Sequence, residues 1–114
     1  FSLGFDPEGE GIRKLVDLQT GQPVHSDMPW WSLPETMRAA ALLTRLRRDE
    51  AGTYSRALAL CWAALQRYLN PELGLMPIQT RDASGTPVNR IPACPDADPC
   101  YHTGLSLIDV LRED

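Results

Sequence analysis

The sequence has no run approaching the ~20 consecutive apolar residues that a membrane-spanning helix requires, which excludes a helical membrane protein. Basic clusters are almost absent as well. The single one, Arg45, Arg47 and Arg48, is followed at once by Asp49 and Glu50 and suits a solvated helix end that complements the helix dipole. With a formal charge of -4 and a pI near 5.1, the chain lacks the positive face that phosphate binding needs, so nucleic acid is excluded as a partner. Cysteines number three, an odd count that argues against a secreted disulfide framework, and Cys61 falls in an apolar helical run; a reduced, cytoplasmic setting is expected. A Cys94–Cys100 bridge is the alternative, with only its spacing in its favour. No charged-then-apolar leader stands at Phe1 and no initiator Met precedes it, as expected of a segment inside a longer gene product. Phosphate loops, nucleophile elbows, dinucleotide fingerprints, repeats and low-complexity tracts are all missing. What is present, 43% apolar and 23% charged residues over a length of 114, is ordinary for one globular domain spanning 1–114.

The patterning gives the order hairpin, helix, helix, hairpin, helix. Residues 1–11, rich in Gly, Pro and acids, show neither period and are expected to form a loop. Ile12 to Val24 predicts two short extended segments about a turn at Gln19-Thr20-Gly21-Gln22, with Pro23 confining the return strand to an edge. Ser32 and Glu35 stand in the S-x-x-E relation of a capping box, with Pro34 in the tolerant first turn, so a helix is expected from Ser32 to about Arg48. The spacing of Tyr54, Leu58, Cys61, Leu65 and Tyr68 predicts a second helix from about Ala51 to Leu69, folded back on the first across a short junction. Gly74 to Pro92 suggests a second irregular hairpin with Asp82-Ala83-Ser84-Gly85 at its tip. Pro92, Pro95 and Pro99 lead stiffly into a last helix, Tyr101 to Leu111, which offers either Leu105, Ile108 and Leu111 or Leu107 and Val110 to the core.

Chemistry is concentrated at two places. Trp30 and Trp31 precede the first helix, and adjacent indoles there either stack on the flat apolar face of a sugar ring or staple the helix start and fill the core. Glu35 either completes the capping box or turns inward to accept hydrogen bonds from sugar hydroxyls or a histidine. Arg38, three residues on, shares its face and can pair with it or bind substrate. His102 suits acid/base work near neutral pH and sits in the first turn of the last helix, where the dipole favours the neutral base; a backbone-bonded helix-terminal histidine is the competing reading. His25 is expected to be merely exposed. Cys94, Asp96, Asp98, Cys100 and His102 alternate along the chain, but zinc sites prefer C-x-x-C pairs and the prolines interrupt any calcium loop, so no metal is expected.

Trp30-Trp31-Ser32-Leu33-Pro34-Glu35 and Tyr101-His102 resemble the W-W-x-x-x-E segment and the late Tyr/Phe-His of the N-acylglucosamine 2-epimerase superfamily, which includes cellobiose 2-epimerases and mannose-type aldose–ketose isomerases. The resemblance covers about Phe5 to Leu111 and implies the C-terminal part of an (α/α)6 barrel, a mainly α six-hairpin toroid with short β-hairpins between its helices. It implies His102 as general acid/base acting beside the carbonyl of a ring-opened mono- or disaccharide through an enediolate, without metal or redox cofactor. It further implies Trp30 or Trp31 as a sugar-stacking surface and Glu35 as a hydroxyl or histidine partner; Arg38 and Tyr101 are expected beside them as substrate-binding residues. Three helices are only part of such a barrel, so the remainder of a longer barrel or a homo-oligomer is expected to complete it. Two other readings accompany this one: a non-catalytic carbohydrate-binding module, and a six-hairpin hydrolase or lyase pairing Glu35 with Asp96 or Asp98.

Overall fold

A computed structural model of the chain describes residues 1–8, 10–70, 76–77, 80–88 and 101–112. It is mainly α. The helices are α1 (Ser32–Leu46), α2 (Ala51–Leu65) and α3 (His102–Leu111), with one 3-10 turn at Arg48–Glu50 joining α1 to α2 and another, Gln66–Tyr68, ending α2. Around them lie short antiparallel pairs. β1 (Phe5–Asp6) pairs with β2 (Gly11–Ile12), and β3 (Leu15–Val16) pairs with β4 (Pro23–His25). β5 (Met28–Pro29) pairs with β8 (Thr80–Arg81), and β6 (Leu69–Asn70) pairs with β7 (Met76–Pro77).

The first two strands correct the expectation of a structureless start. Phe5 pairs with Ile12 and Asp6 with Gly11, and Arg13 closes the pair with a 2.9 Å contact to Asp6. Gly11 is required there because a Cβ would lie 2.6 Å from the Tyr68 hydroxyl and 2.9 Å from Met28 Sδ. The hairpin turn forms at the expected residues. Asp17 Oδ1 accepts the Gln19 N–H at 2.7 Å and the Thr20 N–H at 3.2 Å, Gly21 takes φ +70°, and these backbone donors hold the Asp17 carboxyl below its ordinary value. Asp82 Oδ1 organises the second turn in the same way, from Ser84 and Thr86 N–H, with Gly85 at φ +78°. The strand before that turn has a second role that local patterning does not disclose: Thr80–Arg81 also pairs with Met28–Pro29, fixing the backbone just ahead of Trp30.

α1 begins at Ser32 as expected, but not through a capping box. Trp31 is the N-cap residue, and no side chain caps the terminus among the described residues. Ser32 Oγ instead donates backwards to the Pro29 carbonyl at 2.7 Å, which leaves the Glu35 carboxylate available elsewhere. α2 buries the face its period predicts, and the core forms where Cys61, Ala64, Leu65 and Tyr68 meet Trp30, Leu33 and Met37. Tyr68 is fully buried and donates its hydroxyl to the Met28 carbonyl at 3.1 Å, tying the end of α2 to β5. α3 packs on α1 through Leu107 and Val110, while Leu105, Ile108 and Leu111 remain exposed. Among the described residues no helix is long and apolar enough to cross a membrane.

Candidate functional site

The two motifs lie 67 residues apart in sequence and meet at the junction of α1 and α3. Because Ser32 does not use Glu35 as a capping partner, Glu35 Oε1 reaches across to His102 Nδ1 at 3.0 Å. An ionised carboxylate only accepts, so this contact places the proton of a neutral imidazole on Nδ1 and leaves Nε2 as its basic nitrogen. The ring is walled by aromatics. Trp30 stands edge-on to it at a centroid distance of 5.6 Å, Tyr101 edge-on at 5.0 Å, and Trp31 tilted at 6.4 Å. The two indoles are themselves in edge contact at 5.9 Å.

The six residues singled out from the sequence play unequal parts. Trp30 is 5% exposed and belongs to the hydrophobic core, so it supports His102 from below. Trp31 is half-buried and Tyr101 is 66% exposed, which makes these two the aromatic surfaces open to a ligand. The His102 and Glu35 side chains are 36% and 40% exposed, so a solute can reach the pair. Arg38 lies 3.9 Å from Glu35 Oε2, the expected i,i+3 neighbour, yet its Nε makes a closer contact of 2.7 Å to Asp109 Oδ2. His25 is exposed on β4, and its Nδ1 accepts the Asp27 N–H at 3.3 Å.

Asp109 was not visible from sequence reasoning. Its signal was present all the same: it follows His102 by seven residues, two helical turns, on the face that meets the Glu35–Arg38 pair. Arg45 is a second such residue, donating to the Asp109 carbonyl at 3.4 Å and the Arg112 carbonyl at 2.7 Å and so satisfying the end of α3 from outside. Cys94, Asp96, Asp98 and Cys100, weighed as a disulfide, a metal set or acid partners, lie outside the described residues. Among the described residues no group of three or more His, Cys, Asp or Glu side chains could hold a metal ion.

In chemical terms the cluster is a carboxylate-oriented imidazole beside accessible aromatic surface. It can take up and return a proton at Nε2, with the Glu35 charge stabilising the imidazolium that forms. Compared with known proteins, the chain matches no family model and no curated sequence.

Proposed function

We propose that the chain is part of a sugar epimerase or isomerase built as an (α/α)6 barrel, similar to the N-acylglucosamine 2-epimerase superfamily, with His102 as a general acid/base. The observation that carries this reading is the 3.0 Å contact between Glu35 and His102, flanked by Trp30, Trp31 and Tyr101. In the proposed reaction a mono- or disaccharide in its ring-opened form lies against Trp31 and Tyr101. His102 Nε2 removes the proton from the carbon beside the carbonyl, giving an enediolate. Return of a proton to the opposite face of that carbon yields the epimer; return to the adjacent carbon yields the ketose. Glu35 holds the tautomer and offsets the positive charge on the ring. The chemistry uses no metal or redox cofactor.

A second base is needed for epimerisation, and the only other histidine of the chain, His25, is exposed with Nδ1 engaged by the backbone. The proposal therefore assigns that base to the rest of a longer barrel or to a neighbouring copy. An open apolar groove of about 380 Å³ between the helices, lined by Met37, Leu58, Trp62, Leu107 and Val110 among others, is the kind of surface that further helices of a barrel cover. The same shortage of a second base favours one other reading, a carbohydrate-binding module that has kept Trp31 and Tyr101 and does no chemistry.

Turnover of aldoses and their disaccharides by the complete protein to which the proposal assigns this chain, followed by NMR, separates the two. The catalytic reading expects epimer or ketose to form and His102→Ala to abolish it; equal turnover by His102→Ala overturns it. The binding reading expects sugar to change tryptophan fluorescence in both proteins without turnover.

A further inference from the structure

The geometry points to Asp109 as a positioning residue that acts through Arg38 to keep the Glu35 carboxylate available to His102. Arg38 stands between two carboxylates. Its Nε forms an ion pair with Asp109 Oδ2 at 2.7 Å, while its Nη1 is 3.9 Å from Glu35 Oε2, beyond hydrogen-bonding distance. Glu35 and Arg38 are i,i+3 neighbours on α1, so an unrestrained guanidinium is able to close on Glu35 and compete with His102 for its oxygens. Asp109 draws it the other way. The Asp109 side chain is the least exposed of the four, at 21%, and Arg112 Nη1 lies 3.4 Å from its other oxygen, which further fixes its position. Arg45, also on α1, anchors the same end of α3 through the Asp109 and Arg112 carbonyls.

Among the described residues the charged groups on this side of the imidazole are Glu35, Arg38 and Arg45 from α1, Asp109 from α3 and Arg112 just beyond its end, in the alternating order His102, Glu35, Arg38, Asp109, Arg112. The direct field of Asp109 on His102 is small. Seven residues of helix separate them by ~10 Å, a little beyond the ~8 Å Debye length at physiological salt, so the screened interaction moves a titration midpoint by roughly 0.1–0.4 of a unit, the smaller figure for the dielectric of water and the larger for that of a protein surface. A larger effect has to pass through Arg38, and exposed ion pairs of this type are worth about half a unit. The role of the Asp109–Arg38 pair in proton transfer rests on the acid/base reading of His102, but its hold on the ring is measurable without any sugar.

The test is an NMR titration of the His102 ring nitrogens in the intact chain, with His25→Gln used to assign the signals. Asp109→Asn is expected to lower the His102 midpoint by about half a unit, and Arg38→Met to raise it by a similar amount. In the Arg38→Met background the Asp109 substitution is expected to shift the midpoint by clearly less than in the wild type, because only its direct field remains. Asp109→Glu, which keeps the charge, is expected to retain the wild-type midpoint, and Asp109→Ser supplies the uncharged arm should the Asn variant not fold. Equal shifts on neutralising Asp109 in both backgrounds, or no shift in either, overturn the inference. A coupled titration without sugar turnover removes the acid/base reading and leaves this network standing; turnover without coupling removes the network alone.

Discussion

Glu35 shows why a local motif and its tertiary use can differ. Its S-x-x-E spacing with Ser32 is that of a capping box, yet the hydroxyl turns back to Pro29 and the carboxylate turns to His102. The start of α1 was legible because Pro34 and the apolar period lie in the first turn; the partner of Glu35 was not, since it depends on where α3 docks. At the same scale, Gly11→Ala should destabilise the fold by about 1–3 kcal/mol in chemical denaturation, because Tyr68 Oη and Met28 occupy the space a Cβ needs. Wild-type stability would show that the β2 backbone can retreat. Cys61 gives a pH prediction. Burial pushes its thiol up from 9.0 to about 12, so the folded chain keeps its proton where the unfolded chain loses it. Its contribution to stability is present below pH 9 and is lost as pH rises from there towards 12, at no more than about 1.4 kcal/mol per pH unit. Cys61→Ser should flatten that alkaline slope, and an unchanged slope assigns it to other groups.

Among the elements, α2 was the most legible, because Tyr54, Leu58, Cys61, Leu65 and Tyr68 keep one face through the whole helix and into the following turn. The β5–β8 pair was the least, since Met28–Pro29 and Thr80–Arg81 are far apart in sequence and each is too short to carry a period. α3 lies between these cases. Its apolar residues offered two faces, and the one containing Leu107 and Val110 is inward because Glu35, Arg38 and Arg45 bind its polar groups on that side. Removing the outer tie tests this directly. Arg45→Met should lower hydrogen-exchange protection across α3 by about 1 kcal/mol while leaving α2 unchanged. Equal protection in the variant would mean that apolar packing alone holds the helix.

At the scale of the whole molecule, the described helices form a hairpin and one added helix, with apolar side chains left open: Trp62 is 49% exposed and Leu111 78%. Under the proposed reading this face is covered by further helices or by a second copy. The purified chain is accordingly expected to self-associate, with a sedimentation mass that rises with concentration and falls back towards monomer for Trp62→Glu; a strict monomer at all concentrations contradicts that expectation. The central claim, however, concerns a proton rather than an assembly. It is tested most directly by following the hydrogen on the carbon beside the carbonyl of an aldose by NMR while the protein works in D2O, since a single base suffices for exchange even where epimerisation needs two. The account predicts that solvent deuterium enters at that carbon, that Glu35→Gln slows entry by about 10–100-fold, and that His102→Ala stops it. Deuterium entering at the same rate in all three proteins, or in none, would contradict it.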